Sequence, residues 1–175
     1  MIKTNNIILT KSYESPCGTL LLGAFGDRLC LCDWQVEKHS CKVNIRLQRI
    51  LDAKFAEGSS AVLEKAVHQL DEYFAGTRRD FDIPLLFVGT DFQKAVWNDL
   101  LDIPYGETVS YGEMARRLGK PKSVRAVANA NGANAISIFA PCHRVIGKDR
   151  SLTGYGGGLD AKRYLLAMEG NGIPF

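Results

Sequence analysis

Two kinds of apolar spacing divide this chain. Leu20-Leu21-Leu22 and Leu29-Cys30-Leu31-Cys32 are short apolar runs separated by Gly26-Asp27, a turn signal, and they predict a β-hairpin. Helical spacing then takes over: Leu63, Ala66, Val67, Leu70, Tyr73 and Phe74 recur at three- and four-residue intervals, and Gly76 supplies the stop. Pro84, Gly89 and Thr90 mark a boundary near residue 87, so the expected domains are 1–87 and 88–175. Beyond it the pattern is one of short helices. Asp91 is placed to cap a helix bearing Phe92, Val96, Trp97 and Leu100 on one side. Ser110 and Glu113 form an S-x-x-E capping box for a second helix that ends near Gly119. Lys120-Pro121-Lys122 makes a turn, and a third helix from about Ser123 to Asn131 completes a helix-turn-helix outline. Its inward positions are read as Val124, Val127 and Ala128, leaving Ser123, Arg125, Ala126, Asn129 and Ala130 on an outer face of mostly small side chains. The fold class expected is α+β, a small sheet with helices followed by a helical half.

Composition narrows the setting. The chain has 175 residues, 46% of them hydrophobic, which suffices for one compact unit or two small cores. It has no run of about 18 apolar residues and no cationic-then-apolar N-terminus, so a soluble, cytoplasmic protein without membrane attachment is expected. Five cysteines without regular spacing point to a reducing compartment rather than a disulfide framework. Residues 1–87 carry 11 basic and 11 acidic side chains, whereas residues 88–175 carry 11 basic and 8 acidic, so the whole net charge of +3 is C-terminal. From Met114 to Lys148 there is no Asp or Glu, while Arg116, Arg117, Lys120, Lys122, Arg125, Arg144 and Lys148 fall inside. A one-signed stretch attracts a polyanion such as a nucleic-acid backbone; a solvated basic face without a partner is the plain alternative.

The chemistry concentrates in Pro141-Cys142-His143-Arg144-Val145. A free thiol has a pKa of about 8.5 and is only a few per cent thiolate at neutral pH; an adjacent imidazole raises that fraction. Cys142 is the candidate nucleophile and His143 its base, against the alternative of a structural cysteine beside a surface histidine. Cys30, Cys32, His39 and Cys41 bear zinc-ligand side chains, but their spacing lacks the usual gap between paired cysteines, and no metal is expected. His68, beside the apolar stripe of its helix, is read as a packing residue.

The Cys142 segment does not stand alone. With Phe92-Gln93 through Val96-Trp97, Ile103-Pro104-Tyr105-Gly106, Val109-Ser110-Tyr111-Gly112, Arg125-Ala126-Val127, Gly154-Tyr155-Gly156-Gly157-Gly158 and Leu165 to Gly170, it resembles the O6-alkylguanine-DNA alkyltransferases, also called methylated-DNA–protein-cysteine methyltransferases. The likeness runs from about Asp91 to Gly170, with a weaker echo at Tyr73-Phe74-Ala75-Gly76-Thr77. It implies a ribonuclease H-like N-terminal domain and a winged helix-turn-helix-like C-terminal domain that enters the minor groove of double-stranded DNA. The implied reaction is single-turnover transfer of the alkyl group from O6-alkylguanine, with O4-alkylthymine as a second candidate lesion, to Cys142. No cofactor is implied, and the protein is expected to act as a monomer.

The resemblance also implies individual roles. His143 draws the thiol proton through a water and is held by Glu169; Tyr111 donates to the departing guanine; Asn134 braces the turn before Cys142. Val145, Tyr155, Gly156 and Gly157 line the base pocket, together with the backbone of Cys142. Arg125 is the finger that fills the stack after the damaged nucleotide rotates out, a step that costs a few kcal/mol. Ser123, Ala126, Asn129 and Ala130 share its DNA face. The sequence departs from some relatives at Gly156, where a Ser hydroxyl is absent, and at Ala128, Asn129 and Ala135, which bear on alkyl-size preference; Ser137 keeps the pocket wall small. Two rivals remain: a non-catalytic lesion-binding protein, whose kind replaces the cysteine with Trp, and a winged-helix regulator, which has no need of a Cys-His-Glu constellation.

Overall fold

The computed structural model describes residues 6–170. The chain divides into two compact units, Met1–Gly89 and Thr90–Phe175.

In the first unit, β1 (Ile7–Ser15), β2 (Gly18–Phe25) and β3 (Arg28–Trp34) form an antiparallel meander. The predicted hairpin is β2–β3, and Gly26 at φ 62° supplies the left-handed residue its turn requires. Helix α1 (Glu37–Leu51) returns the chain to β4 (Lys54–Glu57), which pairs in parallel with β1, giving the order β3-β2-β1-β4. Helix α2 (Ala61–Phe74) follows, with the Ser60 hydroxyl accepting from the Leu63 N–H. Leu63, Ala66, Leu70 and Tyr73 on its inner face, with Leu20, Leu22, Leu29, Leu31, Trp34 and Leu47, are fully buried and form the core. Cys30 and Cys32 lie in it, and burial pushes the Cys30 thiol up to about 12. His39 on α1 bonds Asp33 at 3.0 Å, whereas Cys41 is exposed. Among the described residues no three His, Cys, Asp or Glu side chains are grouped to hold a metal. His68 does not pack: it faces solvent and pairs with Glu72 one turn on at 2.9 Å, because the buried stripe passes through Ala66, Gln69 and Leu70 on either side of it.

The second unit is built from short helices around a two-residue ladder. Helix α3 (Asp91–Leu100) buries Val96, Trp97 and Leu100. Its cap is Thr90, not Asp91: the Thr90 hydroxyl accepts from the Gln93 N–H and Gln93 reaches back to the Thr90 N–H, a complete capping box that leaves Asp91 as first helical residue. Strand β5 (Val109–Ser110) runs directly into α4 (Tyr111–Arg117), capped by Ser110, whose hydroxyl accepts from the Glu113 N–H at 3.1 Å. A tight turn through Gly119 leads to α5 (Val124–Gly132), which contacts both α3 and α4. A 3-10 turn at Cys142–Arg144 enters β6 (Val145–Ile146), and α6 (Leu159–Met168) closes the described chain.

Helix α5 turns differently from the expectation. Its buried residues are Val127, Ala130 and Asn131, while Val124 is 39% exposed. The Trp97 indole N–H donates to the Ala130 carbonyl at 2.8 Å and draws the C-terminal end of α5 onto α3, so the small Ala130 becomes the contact point. Val124, in the first turn, lies beyond that contact.

Candidate active site

The ladder of the second unit positions the site. Strand β5 pairs in parallel with β6, Val109 opposite Val145 and Ser110 opposite Ile146. The residue after β5 is Tyr111 and the turn before β6 begins with Cys142, so two strands of two residues bring phenol and thiol segments together. The Tyr111 hydroxyl donates to the Thr153 carbonyl at 3.2 Å. Burial pushes its phenol up, against the lowering effect of hydrogen bonds from Thr153 and Asn131 and in concert with Cys142, so Tyr111 keeps its proton at neutral pH.

Cys142 is 5% exposed and emerges from a braced turn. Asn134 is buried, donates through Nδ2 to the Ala140 carbonyl at 2.9 Å and accepts at Oδ1 from the Ile136 N–H at 3.0 Å. Between them the chain reverses so sharply that Ile138 adopts φ 72°, a left-handed conformation a β-branched residue rarely tolerates, worth about 1–3 kcal/mol of strain. The Asn134 amide, with the Ala140 N–H bonded to the Ile136 carbonyl, holds that reversal shut.

Behind the thiol stands a buried trio. His143 has no exposed surface; its Nε2 lies 2.8 Å from Glu169 Oε1, and its Nδ1 has no protein partner. Burial lowers the imidazole pKa and outweighs the opposing pull of Glu169, so the ring is neutral. A neutral ring must donate from one nitrogen, and the carboxylate can only accept; Nε2 carries the hydrogen and the Nδ1 lone pair is free. Burial opposes ionisation of Glu169, but His143 first and then Arg144 reverse this and bring its pKa to about 2. Arg144 Nε and Nη2 meet the two carboxylate oxygens at 3.0 and 2.9 Å, and Nη1 donates to the Ile103 carbonyl at 2.6 Å. Gly106 makes room for this: at φ 80°, a Cβ there would stand 3.2 Å from the Glu169 carbonyl oxygen. Arg144 therefore belongs to the interior and not to the basic face in which its sequence position placed it.

Three participants escaped the sequence reading. Lys162 is fully buried, donating to the carbonyls of Val145 at 2.7 Å and Thr153 at 3.1 Å, with its Nζ 6.0 Å from the Tyr111 ring centroid. Burial lowers its pKa to about 8, against the attraction of Cys142. Its signal was present: Lys162, Leu165, Leu166 and Glu169 follow i, i+3, i+4, i+7, so two charged residues share the stripe α6 buries. Asn131, 4% exposed, donates to the Cys142 carbonyl at 3.4 Å. Thr153 lends its backbone carbonyl to both Tyr111 and Lys162, a role side-chain patterns cannot reveal.

The remaining predicted residues divide. Val145 is buried in β6, while Tyr155, Gly156 and Gly157 are half-buried in the loop before α6. Arg125, Ala126 and Asn129 are exposed along α5 and Ser123 is half-buried at its start, but Ala130, 3% exposed, is spent on the α3 contact and lies away from the outer face. Arg117 pairs with Asp99 at 3.3 Å, whereas Arg116, Lys120, Lys122, Arg125 and Lys148 are exposed, Lys120 with its ammonium over the Phe92 ring. No helix among the described residues is long and apolar enough to cross a membrane.

Both units have known relatives. Residues 8–87 match the ribonuclease-like domain of 6-O-methylguanine DNA methyltransferase, and residues 91–171 match its DNA binding domain. The methylated-DNA–protein-cysteine methyltransferase of Methanosarcina acetivorans is 45% identical over 159 residues, covering 91% of this chain and 96% of that protein. The crystal structure of Mycobacterium tuberculosis O6-methylguanine methyltransferase superposes with a TM-score of 0.79 at 43% identity, covering 95% of each chain. That of Mycobacterium tuberculosis OGT in complex with DNA does so with 0.78 at 43% identity over 93% of this chain and 92% of the other. With both domains matched and likeness over nearly the whole length, the chain belongs to the 6-O-methylguanine DNA methyltransferase family.

Proposed function

We propose that this protein repairs alkylated DNA by direct reversal, moving the alkyl group of O6-alkylguanine in duplex DNA onto Cys142 in a single turnover. The observation that carries this reading is the free Nδ1 lone pair of a neutral, fully buried His143 whose other nitrogen is fixed by Glu169. A water on Nδ1 relays the Cys142 proton to the imidazole, and the Arg144-anchored carboxylate stabilises the imidazolium that forms. The sulfur then bonds the alkyl carbon, the carbon–O6 bond breaks, and its electron pair is drawn into the purine. Tyr111 delivers a proton to the departing base and recovers one from solvent. A stable thioether remains and the nucleophile is consumed, so each molecule acts once.

The buried thiol cannot reach a stacked base, so the nucleotide must rotate out of the helix. Exposed Arg125, flanked by Ala126 and Asn129, fills the gap from the minor groove, and the carbonyls and amides of Cys142, Val145 and the Tyr155-Gly156-Gly157 loop read the lesion. The protein acts as a monomer in a reducing, cytoplasmic setting that keeps the Cys142 thiol from oxidation. Intact-mass analysis after incubation with an O6-methylguanine duplex tests this: a gain of one CH2 located on Cys142 is expected. Repair in catalytic excess over protein, or by Cys142→Ser, contradicts it.

A further inference from the structure

Asn131 has no place in that scheme, yet its amide touches both reacting segments. It lies in α5 one turn before Asn134, whose N–H bonds the Asn131 carbonyl at 3.2 Å. Its Nδ2 donates to the Cys142 carbonyl, and the same side chain reaches the Tyr111 hydroxyl. The amide orientation is dictated: turned over, its oxygen would oppose the Cys142 carbonyl oxygen, two acceptors face to face. Nδ2 has two hydrogens, one for each neighbour, and this leaves Oδ1 buried without a partner. An orphaned buried acceptor works against folding, and a leucine of similar size would remove it. Sites where local stability is set aside in this way are the ones where function accounts for the residue.

We propose that Asn131 is a positioning residue for the acid of the reaction: its amide holds the Tyr111 oxygen beside the thiol segment and stabilises negative charge there while the tyrosine proton passes to the purine. Tyr111 already donates its hydrogen to Thr153, so its oxygen is free to accept, and the hydrogen bond from Asn131 strengthens as charge develops. The inference rests on the alkyl-transfer reading and assigns Asn131 no contact with the lesion.

The test is a mutant cycle read by the single-turnover rate with free O6-benzylguanine, which needs no nucleotide rotation. Asn131→Leu is expected to slow benzyl transfer about tenfold, the scale of one hydrogen bond to a charged group. In Tyr111→Phe the same change is expected to cost nothing further. Alkylation of Cys142 by iodoacetamide, whose iodide leaves without a proton, stays within about twofold of wild type if Asn131 acts only through the acid. Losses that multiply in the double variant, or an equal loss with iodoacetamide, overturn the proposal by making Asn131 a support of the thiol alone. Asn131→Ala repeats the comparison if the leucine variant loses its thermal transition. Wild-type protein inert toward O6-benzylguanine would instead sink the alkyl-transfer reading itself.

Discussion

Helices α2 and α6 bury stripes of the same spacing and opposite content. In α2 the inner face is Leu63, Ala66, Leu70 and Tyr73, all apolar or aromatic, and the helix serves to close a core. In α6 the stripe is Lys162, Leu165, Leu166 and Glu169, and both charged ends are buried. The apolar stripe gains about 1.5–3 kcal/mol per large side chain from water exclusion. The charged one gains little net stability, since desolvation consumes most of the Coulombic return. It survives because every charge is answered: Glu169 by Arg144 and His143, Lys162 by two carbonyls. Scaffold and chemistry thus use one periodicity, and what sits on the stripe separates them.

Substitutions on the two stripes sharpen the contrast. Glu169→Gln is expected to produce the largest effect, lowering the single-turnover transfer rate by about 10³-fold or more through loss of the imidazole tautomer and of its counter-charge. It also lowers stability by about 3–5 kcal/mol by leaving Arg144 buried and uncompensated, as thermal unfolding will record. Leu70→Ala is expected to cost about 2–5 kcal/mol of stability while the folded fraction transfers alkyl groups at the wild-type rate. A rate loss there would erase the division of labour.

Lys162 offers a test by pH. Its folded-state pKa is about 8, below its ordinary 10.5, so the unfolded chain binds the proton more tightly. Stability from this group therefore rises as pH climbs from about 8 to about 10.5, by up to about 3 kcal/mol. Measured by denaturant unfolding, wild type is expected to gain on Lys162→Met across that window; parallel curves would show that the ammonium suffers no burial penalty. The smallest effect is expected outside both stripes. Arg125→Ala is predicted to slow repair of duplex DNA by about 10–100-fold while leaving reaction with free O6-benzylguanine unchanged, as the proposed role of filling the DNA stack requires. Equal losses on both substrates would place Arg125 in the chemistry.

Local signals were easy to read where one residue or one spacing carried them. Gly26 announced the β2–β3 turn, the apolar stripe announced α2, and Ser110 announced the start of α4. Helix α1 escaped because only Val43 and Leu47 are buried while Ile45 and Ile50 face solvent, which blurs its periodicity. Strands β1 and β4 escaped because their pairing is parallel and joins residues more than forty positions apart, as Ile8 with Phe55. Thr90 outcompeted Asp91 as a cap because its partner Gln93 was needed to complete the box.

By itself the sequence determined the family likeness and the α+β outline and singled out Cys142 and His143 as candidates, since each rests on neighbours in the chain or on a short repeat. Only the tertiary structure decided that Arg144 faces inward, that Ala130 is a helix contact and Val124 is not, and that Lys162 and Asn131 are buried beside the Tyr111 and Cys142 segments. The reason is physical. Whether a charge is solvated or buried, and which lone pair stays free, depends on partners such as Glu169 and the Val145 carbonyl that arrive from distant stretches of chain, and no local pattern encodes their arrival.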